Sequence, residues 1–232
     1  MMREQARYIY QSLLIPGIMV AVLWLIHGLQ WLTGIRLSAW GILPRDPDGI
    51  WGILFAPLLH SDWGHLLSNT PPLFVLSALV FYFYRKVAIP AYAMMYGLTG
   101  LAVWLFGRGY TFHIGASGVI YALVAFVFWS GIFRRNIRSI ALALIVAFYY
   151  GSMMMGILPG QEGISWESHL YGALVGIFVA YWFKEKIEEE ENAPRYSWEK
   201  EDELPSAPFL DPDTFEKSKS ERQKESLWRR FE

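Results

Sequence analysis

The sequence has no cysteine, and charged side chains are scarce before residue 184. Without cysteine the chain cannot be a small secreted module held together by disulfides. Its net charge of −1 excludes a strongly basic nucleic-acid-binding protein. The first 183 residues contain only ten basic and six acidic side chains, and these charges separate long apolar runs. This part of the chain is therefore not a soluble domain.

Hydrophobic residues make up 54% of the chain and are concentrated in runs long enough to cross a membrane. A bilayer core about 30 Å thick needs roughly 20 mostly apolar helical residues. Six segments meet this requirement, from Leu13 to Trp31, Leu66 to Tyr84, Val87 to Phe106, Gly115 to Phe133, Ile137 to Leu158 and Trp166 to Phe183. The first is too long for a signal peptide, so we expect a retained helix. The sequence thus predicts an all-α polytopic membrane protein.

Basic residues in the short loops predict how these helices are oriented. Nine Lys or Arg residues lie on one side of the predicted bundle and three lie on the other. Since basic loops stay in the cytoplasm, both termini are predicted to be cytoplasmic. We divide the chain into a short cytoplasmic N-terminus (residues 1–12), a six-helix membrane domain (13–183) and a charged cytoplasmic tail (184–232).

Two segments outside the predicted helices differ strongly in composition. The long first outer loop, from Leu32 to Leu59, combines glycines and prolines with three large aromatic residues. We expect this loop to be structured, folding against the bundle or dipping into the membrane. The tail holds ten basic and 15 acidic residues, and its acidic run and prolines favour disorder. Its last part, from Glu221 to Glu232, has the composition of a short helix.

Five polar residues are predicted at one common depth in the bundle. His60, His65 and Asn69 lie around the start of the second helix, Ser117 starts the fourth, and His169 lies early in the sixth. Even-numbered helices enter from the outside in the predicted orientation, so all five lie toward the outer face. Polar groups inside a membrane are costly, and they therefore indicate a functional site.

Ser117 stands between Gly115 and Gly118 at the start of the fourth helix. A serine hydroxyl becomes a nucleophile when a base lies beside it. Backbone N–H groups at a helix N-terminus can stabilise the oxyanion that forms on attack. The alternative is that these small residues only allow helices to pack closely. The motif alone leaves both interpretations open.

His169 lies at the depth at which it can accept the Ser117 proton as a general base. Gly172 and Gly176 follow it and form a small-residue face that favours close packing on another helix. If that partner is the Ser117 helix, hydroxyl and imidazole meet. A structural hydrogen bond between helices is the alternative role for His169. His113, in the loop before Ser117, is a second candidate base, ranked lower because loops hold geometry less well.

His60, His65 and Asn69 follow the pattern H-x4-H-x3-N, in which His65 and Asn69 share one helix face. A zinc site is poorly supported, because there is no cysteine and no H-E-x-x-H motif. No metal or other cofactor is therefore predicted. Neutral imidazole and amide donors suit an oxyanion pocket better. His27, which we assign to the cytoplasmic half of the first helix, is interpreted as structural.

These patterns together resemble those of the rhomboid intramembrane serine proteases. The resemblance covers roughly residues 41–183 and includes H-x4-H-x3-N on the second helix, G-A-S-G on the fourth and S-H-L-Y-G on the sixth. It implies a six-helix rhomboid-like bundle in which Ser117 is the nucleophile and His169 the base of a catalytic dyad. It also implies an oxyanion hole formed by His65, Asn69 and the Ser117 backbone N–H.

By the same resemblance, His60 supports this region structurally and Tyr121 stacks under His169. Substrates are expected to be single-pass membrane proteins cut near the outer surface, where their helix unwinds, because a regular helix hides its peptide bonds. The pattern of six helices and a short N-terminus implies a bacterial plasma membrane. The oligomeric state is not predicted.

Two positions depart from the pattern of the family. Many relatives carry a Trp-Arg pair in the first outer loop, whereas Trp51 is followed by Gly52 in this sequence. His113 replaces a small or apolar residue often seen before the serine loop. Neither departure touches the dyad.

Two other functions remain open from the sequence. A non-catalytic rhomboid-like protein would bind and retain client membrane proteins without needing Ser117. A haem- or quinone-binding membrane protein would use His60, His65, His113 or His169 as ligands, and it would absorb visible light when purified.

Overall fold

The computed structural model describes residues 2–160, 165–186, 216 and 218–228. These residues form the α-helices α1 (Met2–Thr33), α2 (Gly52–Phe55), α3 (Trp63–Phe83), α4 (Ala88–Phe106), α5 (Ser117–Arg134), α6 (Ile137–Tyr150), α7 (Trp166–Trp182) and α8 (Lys219–Trp228). Four short 3-10 helices lie at Ser38–Trp40, Asp48–Trp51, Ala56–Leu58 and Gly151–Ile157. The all-α class predicted from the sequence is confirmed.

Five helical segments among the described residues are long and apolar enough to cross a bilayer: Ala6–Thr33, Trp63–Phe83, Ala88–Phe106, Ser117–Arg134 and Ile137–Ile157. The chain is therefore a multi-pass membrane protein. The sixth predicted span coincides with α7, which has 17 residues. At a rise of 1.5 Å per residue, a helix of this length extends about 26 Å, slightly less than the hydrocarbon thickness. The count of six spans thus stays a prediction.

Helix α5 lies at the centre of the bundle and packs most closely against α7. Most of its side chains are buried, including Phe126 and Leu123, which are fully enclosed. Gly172 of α7 lies against the backbone of Gly118, and Gly176 lies against the carbonyl of Ala122. A side chain at either α7 glycine would collide with the α5 backbone. The small-residue face on α7 therefore brings the two helices to the distance at which their first turns can share a site.

The bundle has one end, here called the loop end, at which α1 and α4 finish and α3, α5 and α7 begin. The long loop after α1 folds there into three short 3-10 helices and α2. Ile42 in this loop exchanges two backbone hydrogen bonds of 2.9 Å with His113, in the loop between α4 and α5. Gly52 lies so close to the backbone of Gly41 that a side chain has no room there. An arginine at position 52 would need a different backbone in this loop.

His27 lies at the loop end, together with the predicted site residues, so its assignment to the half of the first helix opposite that site was wrong. Its ring contacts the ring of Trp63, the first residue of α3, edge-on at 4.6 Å between centroids. Because α1 runs toward the loop end and finishes at Thr33, a residue six positions earlier belongs to that end. His27 is buried against α3 rather than placed at the opposite face.

The sequence predicted one continuous helix for the fifth apolar segment, from Ile137 to Leu158, and the structure differs. Helix α6 ends at Tyr150, and the chain continues as a 3-10 helix over Gly151–Ile157. The tail separates into its own unit from Ala193 onward, and within it α8 accounts for the predicted terminal helix. The prediction of disorder falls largely on residues 187–215, which lie outside the described residues.

Candidate active site

A cavity of about 920 Å³ opens at the loop end of the bundle. It is lined by the first turns of α3, α5 and α7, by the loop between α4 and α5, and by Met153 of the 3-10 helix after α6. Of the predicted site residues, those facing this cavity are Ser117, His169, His65, Asn69, Tyr121 and His113. The fold thus gathers polar groups from distant parts of the sequence around one space.

Ser117 is the first residue of α5, and its side chain is half-buried at the cavity wall. Gly115, two residues earlier, has φ +110°, a conformation that residues with a side chain rarely adopt. A Cβ there would also lie 2.6 Å from Nε2 of His65. The glycine therefore lets the chain turn sharply into α5 while His65 approaches the backbone. The first N–H groups of α5 have no acceptor within their own helix, as at any helix N-terminus.

His169 contacts Ser117 directly. Its Nε2 lies 2.9 Å from the Ser117 hydroxyl oxygen, and its Nδ1 lies 2.9 Å from the carbonyl oxygen of Gly156. A carbonyl only accepts hydrogen bonds, so Nδ1 must carry a proton. In the neutral ring Nε2 is then the unprotonated nitrogen, and it accepts the bond from the serine hydroxyl. This is the tautomer that a general base requires.

Tyr121, one turn after Ser117, stacks on the imidazole of His169. The two rings are 4.1 Å apart between centroids, and their planes are 10° apart. The Tyr121 hydroxyl donates a 2.6 Å hydrogen bond to the carbonyl of Met153. The 3-10 helix after α6 therefore holds both rings through two of its carbonyls. Gly156 lies against the Tyr121 hydroxyl and has no room for a side chain.

His65 and Asn69 face the cavity from the first turns of α3. Asp62 caps this helix, and its carboxylate accepts a 2.9 Å hydrogen bond from the His65 N–H. The hydrogen bond from the Ser61 hydroxyl, followed by the bond from the His65 N–H, holds the pKa of Asp62 below its usual value. Asn69 donates through Nδ2 to the carbonyl of His65 at 3.0 Å. The second hydrogen of the Asn69 amide is not used in that bond and can be donated to another acceptor. Asn69 is therefore a donor positioned by a capped helix, and Nδ1 of His65 lies 3.2 Å from the Ser61 hydroxyl oxygen.

A family model described as the rhomboid domain matches residues 47–186. The chain belongs to the rhomboid family. The family predicted from the sequence is confirmed, and the matched region runs from the loop before α2 to the end of α7. It thus contains every residue of the cavity wall named above.

Similar proteins occur in mycobacteria. The chain is 43% identical over 170 residues to uncharacterized proteins of Mycobacterium tuberculosis and Mycobacterium bovis, a match that covers 70% of this chain and 71% of each relative. An uncharacterized protein of Mycobacterium leprae is 39% identical over 170 residues, covering 70% of this chain and 67% of the relative. The rhomboid chain is therefore similar in sequence to bacterial proteins.

His60 lies behind the rhomboid cavity rather than in its wall. The residue is only 3% exposed, and its ring meets the ring of His65 edge-on at 4.9 Å between centroids. Burial, followed by the neighbouring His65, lowers the pKa of His60 to about 3, so the ring is neutral at physiological pH. A neutral ring packed behind His65 fits the supporting position that the sequence implied.

His113 faces the cavity, but its ring nitrogens are directed away from the nucleophile. Nδ1 lies 2.5 Å from the hydroxyl of Ser165, and Nε2 lies 3.2 Å from the carbonyl of Arg108. Burial lowers the pKa of His113. The geometry therefore favours His169 over His113 as the partner of Ser117. Within the described part of the chain, no three His, Asp or Glu side chains converge to hold a metal ion.

The sequence analysis did not identify the backbone carbonyls of Met153 and Gly156 as the hydrogen-bond acceptors that hold Tyr121 and His169. A continuous α-helix through this region would use its carbonyls internally, and such a helix was predicted there. The available signal was the pair Gly151 and Gly156, which flank a run of three methionines and weaken the α-helix. Every residue has a backbone carbonyl, so the sequence does not show which carbonyls accept hydrogen bonds from the site, and only the structure identifies them.

Proposed function

We propose that this rhomboid is an intramembrane serine endopeptidase that uses Ser117 and His169 as a catalytic dyad. The proposal is supported chiefly by the 2.9 Å contact between the Ser117 hydroxyl and Nε2 of His169, in the tautomer fixed by Gly156. A hydroxyl with a base in contact and a water-accessible cavity beside it has the arrangement of an acyl-transfer site.

In the proposed reaction, the Ser117 oxygen attacks the carbonyl carbon of the scissile peptide bond while Nε2 of His169 accepts the hydroxyl proton. The resulting imidazolium returns this proton to the leaving amine as the C–N bond breaks, which leaves an acyl ester on Ser117. Water then attacks the ester carbonyl as Nε2 of His169 accepts one of its protons. The C–O bond to Ser117 breaks, the proton returns to the serine oxygen, and the acyl fragment leaves as a carboxylic acid. The Gly156 carbonyl takes the place of an acidic third member, since it accepts from Nδ1–H and orients the ring.

The negative charge that develops on the substrate oxygen needs hydrogen-bond donors. The Ser117 backbone N–H supplies one at the start of α5, and the free amide hydrogen of Asn69 supplies another. Nε2 of His65 lies against Gly115, two residues before the nucleophile. We assign the oxyanion hole to these three groups, with His60 supporting them from behind.

The substrates are single-pass membrane proteins whose helix unwinds where it reaches the cavity. Peptide hydrolysis needs water, which lipid excludes, and the polar wall of a cavity open at one end of the bundle resolves this difficulty. In the orientation set by the loop charges, α7 is the sixth span, both termini are cytoplasmic and the cavity opens outward. The mycobacterial relatives are consistent with a bacterial plasma membrane.

Cleavage of a model single-pass substrate by purified protein in lipid vesicles tests the proposal. The wild type should produce two fragments, and Ser117→Ala and His169→Ala should each produce none. Client binding without catalysis predicts instead that no fragment appears and that Ser117→Ala retains the same bound substrate as the wild type. A wild-type protein that binds substrate and never cleaves it would overturn the protease proposal.

A further inference from the structure

An ion pair joins the loop that precedes Ser117 to the helix that carries His169. The guanidinium of Arg108, in the loop between α4 and α5, contacts the carboxylate of Glu167 in the first turn of α7. The contact is two-pronged: Nε of Arg108 pairs with one carboxylate oxygen and an Nη with the other. Such a forked pair fixes direction as well as distance.

The two partners of this pair differ strongly in exposure. The Glu167 side chain is 3% exposed, whereas the Arg108 side chain is 58% exposed and borders the cavity. A buried carboxylate is costly unless it is paired, so Glu167 holds Arg108 and the loop in place. Its position in the first turn of α7 adds a favourable interaction with the helix dipole.

The same loop meets α7 at a second polar contact. The ring of His113 bonds to the Ser165 hydroxyl, which lies 2.7 Å from the hydroxyl of Ser168. Ser168 is the residue immediately before His169. Both contacts therefore join the two segments that must hold the nucleophile and the base at bonding distance, and neither contacts Ser117 or His169.

We infer that Arg108 and Glu167 are positioning residues that set the distance between Ser117 and His169. The inference rests on the proposed protease function. Close packing of α5 on α7 fixes the helix axes, but the first turns of helices fray, and both reacting groups lie in first turns. The ion pair ties the loop that leads into α5 to the first turn of α7. A misplacement of about 1 Å costs about 100-fold in rate, so catalysis reports on such a constraint more sensitively than folding does.

A double-mutant cycle of Glu167→Gln and Arg108→Gln tests this role. Glu167→Gln leaves an exposed arginine that water can solvate, so we expect kcat to fall about tenfold with KM and melting temperature nearly unchanged. Arg108→Gln leaves a buried carboxylate without its partner, so we expect kcat to fall about 100-fold. The double variant removes that orphan charge and should recover to the level of Glu167→Gln, because the two residues act as one unit.

Arg45→Gln is the matched control. Arg45 is also a loop arginine at this end of the bundle, and its guanidinium bonds to the carbonyls of Leu105 and Gly107 rather than to α7. We expect its kcat to stay close to that of the wild type. The rate at which a fluorophosphonate labels Ser117 should follow kcat across all of these variants, since it reports the dyad without a substrate helix.

The outcomes separate this inference from the proposed function. A wild type that neither cleaves nor labels overturns the proposed function and this role together. An active wild type with unchanged kcat in Glu167→Gln, or with a double variant whose loss equals the product of the two single losses, overturns the positioning role alone. A rise in KM without a fall in kcat would also overturn it, since Arg108 would then act on substrate binding.

Discussion

Replacement of Gly156 by alanine tests how closely the site depends on the 3-10 helix after α6. The added methyl group would meet the Tyr121 hydroxyl and lie 3.2 Å from Nδ1 of His169. Overpacking of this kind costs about 1–3 kcal/mol, and it can be relieved only by moving one of the two rings. If His169 moves by about 1 Å, its bond to the serine hydroxyl is lost and the rate falls about 100-fold. We therefore expect kcat to fall between tenfold and 100-fold.

Gly151→Ala is the matched control, because Gly151 begins the same 3-10 helix and has open space around it. Cleavage of a model transmembrane substrate, with fluorophosphonate labelling in parallel, measures both variants at equal amounts of folded protein. We expect a large loss of activity for Gly156→Ala and none for Gly151→Ala. Equal rates for the two variants would refute the claim that the Gly156 carbonyl fixes His169.

Three further predictions concern the groups around the dyad. Tyr121→Phe keeps the stacking ring and loses one hydrogen bond, so kcat should fall about fivefold, far less than in Tyr121→Ala; equal losses would show that stacking is unimportant. Asn69→Ala should lower kcat about 10- to 100-fold at unchanged KM, and an unchanged kcat would remove Asn69 from the oxyanion hole. The pKa of His60 lies at about 3, below the ordinary value of 6.5, so the unfolded chain takes up a proton first as pH falls. Stability should therefore drop by about 2 kcal/mol between pH 7.5 and 5. Melting curves should show a smaller drop in His60→Gln than in the wild type, because the buried His113 remains, and equal drops would contradict the contribution of His60.

The sequence was sufficient to predict the helical bundle and the residues that meet at its loop end. Apolar runs of bilayer length locate helices because the membrane forces the backbone to satisfy its own hydrogen bonds. The spacing of Gly172 and Gly176 predicted close packing of α7, and the structure places Gly118 of α5 against it. Side-chain patterns therefore carried most of the information on which helices meet.

Features that depend on backbone groups or on loop geometry were not predictable. The chain changes from α-helix to 3-10 helix after Tyr150, which leaves the carbonyls of Met153 and Gly156 available to Tyr121 and His169. No pattern of side chains predicts this change. Asp62 caps α3 by accepting from the His65 N–H, a role that the side-chain pattern did not indicate. Glu167 and Arg108 are 59 positions apart, and only the three-dimensional fold reveals that they pair.

The covalent labelling of Ser117 by a fluorophosphonate is the direct test of the proposed Ser117–His169 dyad. The reagent reacts with a serine only when a base activates its hydroxyl, and it needs no knowledge of the natural substrate. We expect mass spectrometry of the wild type to place one adduct on Ser117, and we expect His169→Ala to abolish it. A wild type that stays unlabelled in lipid vesicles, or a His169→Ala variant that labels at the wild-type rate, would show that Ser117 and His169 do not act as a dyad.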